Sequence, residues 1–277
     1  MIEISALERV ETQWHEINRK EHKIIKHEDY DELITESSAI YCGNELVGIY
    51  LKNSGFDENY LNSVLANLAK LKFVFGPKQR MFSLAATAHT FGWMGRRPLR
   101  QDFCHMSVMA STQPVLHGQL VNLGVQANDL YKNLLPEIWN SHNAKMEETI
   151  RDEYRICGVY TSGIVNKNSV LGGHVDSNNV PDTWNSQLTL KKGISGGYLA
   201  MPELRLGVAV EDNSFLLFKS QQIWHGVTPV YKDKRDSHRY SFVWYSVANL
   251  SKCLTPSEEL KRIQNLKTNR EYERLYT

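Results

Sequence analysis

The sequence predicts an α+β chain whose C-terminal half is an antiparallel barrel or jelly roll. Three observations predict it. From Ile156 onward, short β-like runs recur at 156–165, 187–191, 197–201, 206–211, 214–218, 222–226 and 238–247, with Gly, Pro, Asn and Asp between them. Before Ile156, apolar residues recur mostly at helical spacing. Near the end, Thr255-Pro256-Ser257-Glu258 is a capping box with Pro at the first helical position, so a terminal helix over 256–274 closes the chain.

Taken in order, residues 5–20 place Leu7, Val10, Trp14 and Ile17 on one stripe, which predicts a helix. Residues 38–51 predict a hairpin turning at Gly43-Asn44. Over 58–72, Leu61, Val64, Leu65, Leu68 and Leu71 again have helical spacing. A long helical region opens near Pro114 and runs to 140, with Pro136 breaking or restarting it, and 143–154 adds a further helical piece. We therefore expect one domain over 1–277. Residues 1–155 would be mainly helical support with the substrate-contact region, 156–247 the β core, and 255–277 the C-terminal helix.

Composition sets bounds on function. The 277 residues are 42% hydrophobic and 23% charged, ordinary for a globular chain able to bury a sizeable core. A net charge of +1 supplies no global basic field, so nucleic-acid binding would need a local groove. Cys42, Cys104, Cys157 and Cys253 are widely spaced with no C-x-x-C, and read as reduced thiols. The N-terminus carries acids early and no apolar signal-peptide core, and no stretch approaches the roughly eighteen apolar residues that span a bilayer. The expected location is intracellular, cytoplasmic or, in a eukaryote, nuclear.

The chemistry concentrates in His174-Val175-Asp176 and His225. An H-x-D pair with a distant second His is the sequence form of a 2-His-1-carboxylate triad, which leaves positions open on Fe(II) for a co-substrate and O2. Residues i and i+2 of a strand share one face, so His174 and Asp176 can reach one metal. No thiolate joins the cluster, as zinc would favour. Arg239 follows His225 by fourteen residues, in the strand-like run His238 to Tyr245, and shares a face with Ser241. An inward Arg needs an anion, and its planar fork suits a carboxylate. Arg239 and Ser241 would hold the distal carboxylate of 2-oxoglutarate. The rival is a cupin-like barrel around another metal, but its usual H-x-H pair with a Glu is missing around His174.

On these residues the chain resembles the Fe(II)/2-oxoglutarate dioxygenases, over roughly 156–247. The motifs are Gly196 to Pro202, Asp212 to Phe218 and Ile223 to Val230. It is similar more narrowly to the TET/JBP branch, whose members hydroxylate the methyl group of thymine or methylcytosine in DNA. Thr90-Phe91-Gly92, Arg96-Arg97-Pro98-Leu99-Arg100, Tyr160 to Asn168 and Gly197 to Leu204 carry that likeness, which looks most like the oxygenase domain of the J-binding proteins. The resemblance implies a double-stranded β-helix core (jelly-roll, cupin-like) with supporting N-terminal helices. It also implies Fe(2+) and 2-oxoglutarate as cofactors, O2 as co-substrate and DNA as partner. Unlike TET enzymes the chain lacks a cysteine-rich zinc-binding region, and it has no room for the J-binding proteins' further DNA-binding domain.

Other candidates carry bland alternatives. Asn166 and Asn168 could hydrogen-bond 2-oxoglutarate, or merely cap a turn. Asn178 and Asn179 follow the metal pair and shape the loop at the mouth, and Trp184 or Trp224 could stack on a base, although large aromatics are more often core. Arg80, Arg96 and Arg97, with Phe91, mix charge and ring as phosphate-and-base contacts do, but such a run is equally a solvated face. A second basic patch lies at Lys232 to Arg235, and His105 and His117 carry no assigned role. Beside hydroxylation of DNA, the same triad could hydroxylate a free amino acid, nucleoside or protein side chain, or serve a 2-oxoglutarate or metal sensor.

Overall fold

The computed structural model describes residues 3–71, 87–96 and 103–276. Its first four strands are β1 (Glu8–Thr12), β2 (Glu32–Ile34), β3 (Ser38–Cys42) and β4 (Glu45–Leu51). β1 lies where the apolar spacing predicts a helix. It pairs in parallel with β3, Val10 opposite Ile40, and buries only Val10, while Trp14 stays 47% exposed. The unpaired N–H and C=O groups on the edge of β3 bind the segment along their full length, which a weak helical stripe cannot match. The β3–β4 hairpin turns at Gly43 as expected, with φ +61, a left-handed conformation that glycine adopts without strain.

The helices follow the sequence closely. In α1 (Glu58–Leu68), Asp57 accepts the Tyr60 N–H at 2.7 Å as N-cap, and Leu61, Val64 and Leu68 face the core. Two short strands come next, β5 (Thr87–Met94) and β6 (His105–Met106), and then α2 (Val108–Thr112). Helices α3 (Pro114–Leu134) and α4 (Pro136–Thr149) each begin with Pro at N1. Pro136 forces Leu135 out of helical conformation (φ −133, ψ 61), so the long region divides there. Among the described residues, helical support thus coexists with six strands before Ile156.

From there the chain forms β7 (Ser162–Lys167), β8 (Asn185–Lys192), β9 (Ile194–Gly196), β10 (Leu199–Met201), β11 (Leu206–Val208), β12 (Ser214–Phe218), β13 (Gly226–Val227), β14 (Val230–Lys232), β15 (His238–Tyr245) and α5 (Pro256–Tyr276). Among the described residues, one sheet has the order β1-β3-β4-β12-β8-β15-β7-β5-β6. A smaller one has the order β13-β10-β11-β2, and β14 pairs with β9. The two larger sheets face each other across a shared core. Val10, Ile40, Tyr50, Leu216 and Phe218 come from one side, and Leu199, Met201, Leu206, Val208 and Val227 from the other. This is a double-stranded β-helix, extended at both edges by N-terminal strands.

β15 shows how the sequence builds both a core and a site. Tyr240, Phe242 and Trp244 point into the core shared with α3, each contributing roughly 1.5–3 kcal/mol by burial. Trp244 donates to the Leu120 carbonyl at 3.2 Å, and a Cβ at Gly124 of α3 would lie 2.6 Å from its indole nitrogen, so only glycine allows that approach. The alternate residues Arg239, Ser241, Val243 and Tyr245 face the other way.

Two of the four cysteines depart from the reading as reduced thiols. Cys104 and Cys253 form a disulfide, Cα–Cα 5.9 Å, across a sequence separation of 149. No local spacing encodes that proximity, because β6 and the segment before α5 meet only in the folded chain. Cys42 and Cys157 are free and buried. The Thr255 capping box is present, with the Thr255 N–H and hydroxyl both donating to Glu258. Among the described residues, no helix is long and apolar enough to cross a membrane.

Candidate metal and 2-oxoglutarate site

His174 and His225 meet through the backbone first. They form an isolated antiparallel bridge, each N–H donating to the other's carbonyl at 2.9 Å, and their ring centroids are 4.4 Å apart. Each ring is then oriented locally. The Nδ1 of His174 lies 2.8 Å from the Gly172 carbonyl, and the Nδ1 of His225 lies 2.9 Å from that of Ile223. A carbonyl can only accept, so both Nδ1 atoms carry a proton, and in a neutral ring the lone pair is then on Nε2, the atom a metal would take. Burial, then the neighbouring His174, pushes the pKa of His225 down to about 4, which keeps it neutral.

Asp176 reaches the same point, though not along a strand as i, i+2 spacing suggests. Past the bridge the chain enters a turn, with the Asn179 N–H on the Asp176 carbonyl at 3.2 Å and the Asp176 N–H on the Ser220 carbonyl at 3.0 Å. Its Oδ1 lies 3.7 Å from the His174 Nε2, and its Oδ2 accepts from Asn185 at 2.8 Å. One ligand atom from each of the three residues falls within 4.8 Å of the others, so His174, Asp176 and His225 could hold one metal ion. Cys104, Cys253 and Glu259 also lie that close, but the sulfurs are joined and Arg96 occupies the carboxylate.

A cavity of about 660 Å³ opens from this cluster. Ile164, Asn166, Ser241, Val243 and Tyr245 line it from β7 and β15. Leu199, Phe218 and Val227 form its apolar wall, and Met94, Gly95, Asn178, Val247 and Asn249 its mouth. Arg239 is on the same face of β15 as Ser241, two residues before it, and is buried. Its Nε has no hydrogen-bond partner among the described residues. Burial pulls its pKa down to about 10, and among the described residues no acid offsets that. At neutral pH it remains a buried cation without a counter-charge, which an organic carboxylate would supply. The donor set and this buried guanidinium, its Nε unpartnered among the described residues, both fit Fe(II) with 2-oxoglutarate.

The remaining candidates separate. Asn166 and Asn178 line the cavity; Asn168 does not. Its φ is 50, its Oδ1 accepts the Arg239 N–H at 2.7 Å, and its own N–H donates to the Arg239 carbonyl at 2.8 Å, so it closes the β7–β15 pairing just past the end of β7. Phe91 is fully buried in the core, edge-on to Trp244 and against Gly163, away from the cavity. Arg96 donates to Glu259 in the first turn of α5 through Nε at 3.1 Å and through a second guanidinium nitrogen. Trp224 lies behind the metal loop with its indole against Gly173, where a Cβ would come within 2.2 Å, and Arg19 covers its ring at 5.1 Å. Trp184 is core. Arg80 and Arg97 lie outside the described residues.

Several site-building residues escaped the sequence reading. Asn185 has no local mark that distinguishes it from other strand amides, whereas Asn179, expected with Asn178 to shape the loop at the mouth, is buried and donates to Asn185. Glu203 accepts from Arg19 and from the Trp224 N–H at 2.9 Å, so the segment before β2 is tied across the back of both His-bearing loops. His117 also gains a role, its Nε2 accepting the Gly92 N–H at 3.2 Å. Thr90 of the Thr-Phe-Gly motif lines a second cavity of about 390 Å³ that shares Met94 with the first.

No family model matches this sequence, and no curated protein matches it. Solved structures do. NgTET1 in complex with 5mC DNA aligns at a TM-score of 0.61 and 15% identity, covering 87% of this chain and 89% of that one. A 2OG-Fe(II) oxygenase family oxidoreductase from Burkholderia pseudomallei aligns at 0.49 and 14%, covering 86% and 94%. OsALKBH1 aligns at 0.45 and 12%, covering 72% and 96%. The chain therefore has a double-stranded β-helix fold that it shares with NgTET1. At 15% identity, what it shares with NgTET1 is that fold.

Proposed function

We propose that this chain is an Fe(II)- and 2-oxoglutarate-dependent dioxygenase that hydroxylates the 5-methyl group of thymine or 5-methylcytosine in DNA. The observation that carries the enzyme class is the pairing of a His174–Asp176–His225 cluster, both imidazoles held through Nδ1, with a buried Arg239 whose Nε lacks a partner among the described residues. His174, Asp176 and His225 would hold the iron. Arg239 would pair with the distal carboxylate of 2-oxoglutarate, and Ser241 would donate a hydroxyl to it. When bound, iron with 2-oxoglutarate and O2 supplies oxidative hydroxylation of an unactivated C–H bond. Leu199, Phe218 and Val227 keep water from the His225 side of the cavity.

The substrate assignment rests on the lining. Among the described residues, the cavity wall carries no ionisable group beyond the imidazoles, Asp176 and Tyr245, whereas Asn166, Asn178, Asn179, Gln187 and Asn249 present amides. Such a wall suits an uncharged group with both donors and acceptors, as a pyrimidine edge has. It does not suit a zwitterionic amino acid, which needs charged partners. NgTET1, solved with 5mC DNA, has the same fold. A base in a duplex would have to be flipped out to reach the metal cluster.

A free nucleoside is the second reading, favoured by one observation: Arg96, the described member of the basic run, is consumed by Glu259. Nucleoside mass spectrometry separates the two. DNA from cells expressing the chain should contain 5-hydroxymethyluracil or 5-hydroxymethylcytosine, absent with a His174→Ala/Asp176→Ala variant. Unchanged DNA from cells whose purified enzyme turns over 2-oxoglutarate would move the assignment to free nucleosides.

A further inference from the structure

We propose that Asn185 is a positioning residue that presents Asp176 to the metal through one oxygen, and that Asn179 in turn holds Asn185. The inference deepens, and rests on, the reading of His174, Asp176 and His225 as the metal site.

The hydrogen bonds run in one direction. Asn185, buried at the start of β8, donates from Nδ2 to Asp176 Oδ2 at 2.8 Å. Its Oδ1 accepts from Asn179 Nδ2 at 3.0 Å, and the Asn179 carbonyl accepts from Gln221 Nε2 at 2.6 Å. An ionised carboxylate can only accept, so Asn185 must turn its NH2 toward Asp176 and its oxygen toward Asn179. Asn179 must then present its own NH2. Neither amide can flip without placing two acceptors or two donors face to face. The carboxylate fixes the direction of the relay, and the relay fixes the carboxylate.

The consequence is coordinative. Oδ2 is engaged by an amide, while Oδ1 faces His174 Nε2 at 3.7 Å. One oxygen is left for a metal, so Asp176 would take one coordination position rather than two. That matters in a site that must keep room for a two-point chelator and a further ligand. The strand supplies the rigidity: Asn185 pairs with Phe218 of β12, so its backbone cannot follow a drifting loop.

The test is anaerobic titration with Co(II), a redox-stable stand-in for Fe(II), read by its visible absorption bands. Asn185→Ala and the isosteric Asn185→Asp should each weaken Co(II) binding by about 10–100-fold and shift the bands, the range found for groups that orient a metal ligand. Asn179→Ala should weaken it by less, with a smaller shift. Circular dichroism and Tm establish which variants fold, and if Asn185→Ala does not, Asn185→Asp and Asn179→Ala decide. Unchanged affinity and bands in the folded variants would overturn the inference. Asp176→Ala runs in parallel. If it binds Co(II) like the parent, the metal-site reading itself fails; if it alone weakens binding, only the positioning role falls.

Discussion

Arg96 and Arg239 belong to regions of opposite design. Arg96 reaches Glu259, a buried acid at the start of α5 that also accepts N–H groups from Cys104 and Leu254. Burial alone would raise the Glu259 pKa, but those bonds outweigh it and hold the carboxyl below its ordinary value. The pair is complete without a ligand, and the Cys104–Cys253 disulfide closes the same patch. Arg239 is more deeply buried and its Nε has no partner among the described residues. A guanidinium cannot shed its proton to escape burial. The contrast teaches that charge in a sequence does not distinguish an arginine already paired inside the fold from one left open to a ligand; the acid brought opposite it does.

Several experiments would break or sharpen that contrast. Asp176→Ala should reduce 2-oxoglutarate turnover, followed as succinate, to background, because it removes the group that gives the Arg239 region its purpose. Persistent turnover would separate the two sites. Arg96→Met strands a buried carboxylate, and urea unfolding should show a loss of about 3–5 kcal/mol. A loss within error would make Arg96 a surface cation after all. Cys104→Ser with Cys253→Ser should lower stability by about 2–4 kcal/mol, since the link closes a long loop in the unfolded chain. Equal midpoints with and without reductant would contradict that link.

Arg239→Met should behave in the reverse sense to Arg96→Met. We expect 2-oxoglutarate to bind about 100-fold more weakly by calorimetry, near the low end for truncating one partner of a buried charge pair. The ligand-free Tm should stay level or rise, because an uncompensated cation has gone. A Tm drop matching that of Arg96→Met would make both arginines structural.

His142 completes the series as a buried base that can lose its proton. Burial, then Arg155 and Lys145, pushes its pKa down to about 3 from an ordinary 6.5. The unfolded chain therefore binds a proton that the folded chain refuses. His142 contributes stability that is present above pH 6.5 and lost as pH falls toward 3. The slope should be at most about 1.4 kcal/mol per pH unit. His142→Gln should flatten the stability curve in that window, and an unchanged slope would place the acid sensitivity elsewhere.

Much of the fold was legible where local chemistry and tertiary demand agree. Pro114, Pro136 and Thr255 mark helix boundaries through backbone sterics and capping, and those boundaries appear in the structure. The β-run from Ile156 is visible because alternation serves two buried faces. Residues 5–20 failed for the opposite reason: the edge of β3 was available, and backbone pairing overruled an apolar stripe. In the site, the sequence marked residues whose type carries the chemistry and missed those that work by position. His174, Asp176, His225 and Arg239, proposed as the metal and 2-oxoglutarate residues, belong to the first kind; Asn185 and Glu203 belong to the second.

By itself the sequence determined the periodicities, the helix stops and the supply of imidazole, carboxylate and guanidinium, because these are properties of single residues and near neighbours. Only the tertiary structure decided which arginine meets an acid, which cysteines meet each other and which amide grips Asp176. Those pairings join segments up to 163 residues apart, as Arg96 and Glu259 are. Over such distances side-chain chemistry has no effect until the sheets have closed and brought the partners within hydrogen-bonding range.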